Sequence, residues 1–226
     1  MTRIRFQQSL DELKENLLVM AGLAEQAIQR AIEAYRVRDL SICDLVSRSE
    51  NAINRLERDI DQSALDLLAM EQPMAIDLRF ILSVIKINAD LERVGDAAKS
   101  ISDRVRSMEQ MAVAELPVDI PRMATLSAEM VRKSLQADPE IARAVLTMDD
   151  AVDAMNRAAY KALTKVMEEQ SHIAPQALNA LMISRALERV ADHATNIAED
   201  VIFWVQGDDV RHHKSVLAQK DGNKAS

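Results

Sequence analysis

The chain carries one acidic segment twice. "NADLERVGDAAKSISDRV" runs from Asn88 to Val105, and "SRALERVADHATNIAEDV" from Ser184 to Val201. Both read L-E-R-V-x-D, then isoleucine five residues after the aspartate, then an acid two further on. The copies stand 96 residues apart. Upstream, "DLSICDLVSRSENAIN" (Asp39 to Asn54) lies over "DPEIARAVLTMDDAVD" (Asp138 to Asp153) at a spacing of 99. Ile42 then meets Ile141, Val46 meets Val145 and Ile53 meets Val152. The difference in spacing implies a shorter turn between these two stretches in the second copy. Whatever unit the first half builds, the second half builds again.

That unit is helical. Only 3% of residues are aromatic, and four glycines supply few hairpin turns, while strands favour aromatic and β-branched residues. With 48% apolar residues the chain has enough to bury a core. Helical periodicity predicts six segments: about Phe6 to Arg38, Ser41 to Glu71, Met74 to Met111, Pro121 to Ala137, Pro139 to Gln170 and Ala174 to Gln206. "EQPMAID" and "ADPE" punctuate them, because proline disfavours helix at the residue before it and suits a helix start. "AELPVDIP", with two prolines, marks the main boundary. The expected architecture is all-α: two tandem three-helix bundles related by duplication, residues 1–112 and 117–206, followed by a mobile polar tail at 207–226.

The repeated carboxylates avoid the core face. A helix turns about 100° per residue. With Leu187 at zero, Ile183, Val190, Ala194, Ile197 and Val201 cluster on one side. Glu188, Asp192 and Glu199 lie on a second face. The first copy matches: Leu91, Val94, Ala98, Ile101 and Val105 face the core, and Glu92, Asp96 and Asp103 do not. On the preceding helices Glu50, Asn54, Glu57 and Asp61 share one sector, as do Asp149, Asp153 and Asn156. Antiparallel neighbours bring the two stripes together across a shallow groove, where like charges repel and a cation relieves them. A carboxylate on a helix face ordinarily does no more than solvate it, and Arg93, Arg189 and Lys99 offer ordinary surface pairing. Recurrence of Glu-x-x-x-Asp on the same face of both halves is what favours a pair of cation sites. Oxygen-only donors suit magnesium, manganese, calcium or ferric iron over structural zinc. The Glu-x-x-His pair of di-iron carboxylate bundles is missing, since Gly95 and Ala191 stand where histidine would.

A net charge of −8 argues against binding nucleic acid through its phosphates. One cysteine, Cys43, precludes an internal disulfide and suits a reducing compartment. No apolar run is long enough to span a bilayer, and the N-terminus lacks a signal peptide's apolar stretch, which predicts a cytoplasmic protein. No nucleophile elbow, phosphate-cradling glycine loop or zinc-hydrolase motif is present.

"LLAMEQPMAIDLRFILSVIKINADLERVGDAA" (Leu67 to Ala98), with its Q-P-x-A-x-D-L-R turn and D-L-E-R-x-G-D helix, resembles the PhoU family. The second copy lacks the Asp-Leu-Arg turn but keeps "LERVADHATNIAEDV". The resemblance implies metal ions, singly or as clusters, on Glu92 and Asp96 and on Glu188 and Asp192, with Asn54, Asp149 and Asp153 as further ligand positions. Magnesium, manganese and iron are the implied metals, with zinc admitted. It also implies a homodimer that is no enzyme. The implied role is a negative regulator linking the phosphate transporter's ATPase, PstB, with the sensor histidine kinase PhoR, reaching the membrane only through these partners. The competing expectation is a metal-dependent hydrolase or oxidase acting at carboxylate-bound metals.

Overall fold

The computed structural model describes residues 3–71 and 73–210. Among them are six α-helices and no strand: α1 (Arg3–Val37), α2 (Leu40–Glu71), α3 (Ile76–Ser107), α4 (Ile120–Ser134), α5 (Pro139–Glu169) and α6 (Ala174–Gln206). A single 3-10 turn, Ser171–Ile173, joins α5 to α6. Most of the expected tail, from residue 211 onward, lies outside the described residues.

Local chemistry explains the helix ends. Asp119 caps α4 by accepting from the Arg122 amide at 3.0 Å, and Asp138 caps α5 by accepting from the Glu140 amide at 2.8 Å. Each satisfies a donor that the first turn leaves without an intrahelical partner. Gly207 ends α6 in the left-handed region, at φ 82°, where glycine carries no Cβ penalty. α3 starts two residues later than the periodicity predicts. Ala75 sits at φ 47°, uncommon for a side chain with a Cβ, and the helix begins only after it.

α1, α2 and α3 pack as one three-helix bundle, and α4, α5 and α6 as a second. The predicted core stripes are inside: Leu91, Val94, Ala98, Ile101 and Val105 on α3, and Ile183, Val190, Ala194, Ile197 and Val201 on α6, are all buried. α3 and α6 also pack on each other, and α1 meets α4. One continuous core therefore runs through both repeats. α3 and α6 cross antiparallel: the Ser83 hydroxyl donates to the Asp200 carbonyl at 3.0 Å, while Asp90 reaches His193 at 2.8 Å.

The duplication preserves packing volume where it changes residues. Gly95 of α3 lies against Ile53 of α2; a methyl group placed on it would stand 2.9 Å from Ile53 Cδ1. The corresponding residues of the second repeat are Ala191 and Val152, both buried. One methyl group has passed from one helix to its neighbour. Gly95→Ala gains about 1 kcal/mol of helix propensity but overpacks the seam, at about 1–3 kcal/mol. We expect a net loss in urea unfolding, and we expect Ile53→Val to be less harmful, or beneficial, in the Gly95→Ala background. Additivity of the two changes would contradict this packing account.

Candidate metal centres in two acidic grooves

The α2–α3 and α5–α6 pairs are pinned at equivalent points. Asn88 Nδ2 of α3 donates to the Glu57 carbonyl and to Asp61 Oδ1 of α2, both at 2.9 Å. Ser184, the residue corresponding to Asn88, donates to Asn156 Oδ1 of α5 at 2.8 Å. Asp61 and Asn156, which helical arithmetic places in the acidic stripes, are thus engaged in holding helices together.

Above these pins the predicted carboxylates face each other. In the first groove Glu92 feels Asp96 on its own helix and Glu57 and Glu50 on α2. Burial first, then these charges, hold the Glu92 carboxyl above the ordinary glutamate value, against a partial offset from Arg93. In the second groove burial, then Asp192 and Asp153, raise Glu188, with Arg185 opposing and Asp149 adding to the rise. Asp192 is raised likewise by burial, Asp149 and Asp153, with His193 and Arg189 opposing. Unfavourable charge is concentrated at the same place in both repeats.

Asn54 gives the first groove a different internal bond. Its Nδ2 donates to Glu50 Oε1 at 2.6 Å, while its Oδ1 is buried without a hydrogen-bond partner. In the second groove Asp153 occupies the corresponding position and pairs with Arg157 at 3.2 Å. The asparagine has not lowered the acid count. Glu57 of the first repeat corresponds to Asn156 of the second, so each groove holds four carboxylates: Glu50, Glu57, Glu92 and Asp96 in one, and Asp149, Asp153, Glu188 and Asp192 in the other. The amide has changed places with an acid one turn along the helix.

The donor chemistry fits a hard cation. All groove donors are oxygens, their charges repel, and the orphaned Asn54 Oδ1 is a buried acceptor that a cation would satisfy. Among the described residues no three His, Cys, Asp or Glu side chains already converge on one ion position. Side-chain rotation, not a preformed cage, would have to complete coordination.

The sequence pattern gave no notice of Asp90 and His193. Asp90 of α3 is buried, and its Oδ1 lies 2.8 Å from His193 Nδ1 of α6, 3.3 Å from Arg93 and 3.4 Å from Asn196. The contacts to His193 and Asn196 tie one repeat to the other.

This geometry defines a class: a duplicated helical bundle that presents paired carboxylate grooves on a rigid core. The PhoU domain model matches residues 17–105 and 120–201, once for each repeat. The chain is 35% identical over 213 residues to the phosphate-specific transport system accessory protein PhoU homolog of Pseudomonas aeruginosa, covering 92% of this chain and 88% of that one. It is 30% identical to the phosphate-specific transport system accessory protein PhoU of Serratia marcescens, over 98% of this chain and 95% of that one. The crystal structure of PhoU from Pseudomonas aeruginosa superposes with a TM-score of 0.86 at 33% identity, over 90% of this chain and 100% of the other. The phosphate transport system regulatory protein PhoU from Streptococcus pneumoniae gives 0.83 at 28% identity, over 91% of this chain and 99% of its own. The chain belongs to the PhoU family.

Proposed function

We propose that this protein is an accessory regulator of phosphate-specific transport. It works in the cytoplasm as a homodimeric adaptor between the transporter ATPase PstB and the sensor kinase PhoR. When phosphate is ample, it keeps the kinase from switching on the starvation response and restrains uptake. The observation that carries this reading is the pair of equivalent carboxylate grooves on a fold whose relatives are named accessory and regulatory proteins. No helix among the described residues is long and apolar enough to cross a membrane, so membrane proximity would come from the partners.

Magnesium, manganese or iron would be held by Glu50, Glu57, Glu92 and Asp96 with Asn54 Oδ1, and by Asp149, Asp153, Glu188 and Asp192. Such an ion would neutralise the groove and offer open positions to an oxygen donor on a partner. The chain itself supplies the rigid spacing: Asn88 and Ser184 fix the helix pairs, and the shared core fixes the two grooves relative to each other.

Alkaline phosphatase activity in phosphate-rich medium tests the proposal, in a strain lacking its own PhoU. The wild-type chain is expected to repress the enzyme. A folded variant with Glu92, Asp96, Glu188 and Asp192 all changed to Ala is expected to leave it high. Failure of the well-expressed wild type to repress would count against the regulatory role. Repression by both would remove the grooves from it.

A further inference from the structure

The duplication supplies an internal template for a second kind of site. Around the approximate two-fold axis relating α3 to α6, each residue of one helix has its counterpart 96 positions away on the other. On one side of that axis lies the polar knot of Asp90, Arg93, His193 and Asn196. Their counterparts are Ala186, Arg189, Ala97 and Ser100. All four of these line a polar cleft of about 520 Å³ between α3 and α6. The arginine is kept, while the carboxylate and imidazole that fill the other side have become methyl groups.

Charge changes in the same direction. Buried Asp200, which pairs with Lys86 at 3.0 Å, has Arg104 as its counterpart, and Arg104 lines the cleft. Lys99 and Ser107 add a further cation and a hydroxyl to its wall. Two acids are also present: Asp103, which pairs with Lys99 at 2.5 Å, and Asp96 at the edge of the first groove. With Lys99 and Asp103 offsetting each other, Arg104 and Arg189 face one remaining carboxylate. The cleft keeps the arginine of the Asp90 knot, has a serine hydroxyl where the knot has Asn196, and lacks both the imidazole and the acceptor carboxylate.

The geometry points to a binding site for a small tetrahedral oxyanion in this cleft, seated where the Asp90 carboxylate sits on the opposite side of the axis. Arg189 donates to it as Arg93 donates to Asp90, Ser100 takes the place of Asn196, and Arg104 supplies the second charge. Guanidinium groups suit such anions because their planar fork of N–H donors matches two oxygens at once. A carboxylate alone would leave much of the volume unfilled; a phosphate- or sulfate-sized anion, met by Ser100 and Arg104 from α3 and by Arg189 from α6, uses it. The site does not depend on the regulatory proposal or on a cation in either groove.

The test is isothermal titration of the full chain with inorganic phosphate, sulfate and acetate at low ionic strength, with a chelator present so that groove-bound metal takes no part. Saturable binding of phosphate or sulfate is expected, with acetate at least tenfold weaker. Arg189→Gln should weaken oxyanion binding at least tenfold. Ala97→His combined with Ala186→Asp rebuilds the opposite knot inside the cleft and should abolish binding. Circular dichroism checks that each variant is folded; should the double variant not fold, Arg189→Gln and Ser100→Ala carry the test. Phosphate dependence without sulfate binding would still support the site and narrow its ligand. Absence of saturable binding, equal affinity for acetate, or unchanged binding in folded Arg189→Gln would overturn the assignment.

Discussion

Manganese added at neutral pH is expected to raise the thermal unfolding midpoint of this protein, and to do far less near pH 4. The cause is the charge concentrated in the grooves. Glu92, Glu188 and Asp192 all hold their protons to higher pH in the folded chain, through burial and neighbouring carboxylates. Between the ordinary and the raised values the folded state binds more protons than the unfolded one, so stability falls as pH rises through that window. At neutral pH the ionised grooves oppose folding; below the ordinary carboxylate range, about pH 4, that opposition is gone. A cation removes it at neutral pH and competes with protons when the groove is acid. With free cation about a hundredfold above its Kd, one site adds about 2.7 kcal/mol, or about 5–10 °C for a chain of this size. Glu92→Gln with Glu188→Gln should raise the cation-free midpoint at neutral pH and shrink the response to manganese. Calorimetry at the two pH values, with and without the ion, reads all of this. A midpoint indifferent to manganese at neutral pH would contradict it.

Removal of the Asp90 carboxylate should be the most damaging single polar change outside the grooves. Its side chain is 8% exposed and is shared by His193, Arg93 and Asn196. Asp90→Ala strands His193, 13% exposed, in the seam between α3 and α6, where breaking a buried, charged, hydrogen-bonded contact costs about 3 kcal/mol, or about 6–12 °C; Arg93 is solvent-exposed and adds little. Asp90→Asn keeps an acceptor oxygen and should lose less. Thermal unfolding followed by circular dichroism separates the three proteins. An Asp90→Ala midpoint equal to wild type would mean that the knot does not hold the repeats together.

Much of this architecture was legible in the residues, for definite reasons. The helices are long and amphipathic, so the apolar stripes at Leu91 to Val105 and Ile183 to Val201 mark one face without ambiguity. Duplication then identifies which polar positions recur, and helical geometry puts Glu92 and Glu188 on the same side as Glu50 and Asp149. The start of α3 was displaced because Ala75 adopts a conformation that its residue type does not advertise. Asp61 and Asn156 share the angular sector of the groove acids, and only the height of Asn88 and Ser184 along the facing helices shows that they serve packing. Asp90 and His193 were invisible to pattern: neither recurs in the other repeat, where their counterparts are alanines, and 103 residues separate them. The cleft opposite them could be recognised only once the antiparallel crossing of α3 and α6 supplied the symmetry.

If each repeat holds one cation in its groove, as proposed, the chain binds cations with a stoichiometry of two. Isothermal titration with manganese should give two sites per wild-type chain. Glu92→Ala with Asp96→Ala should leave the second groove's site, and Glu188→Ala with Asp192→Ala should leave the first. The variant with all four changes should leave none. Saturable binding that survives all four changes, or its absence in the wild type, would contradict the proposal.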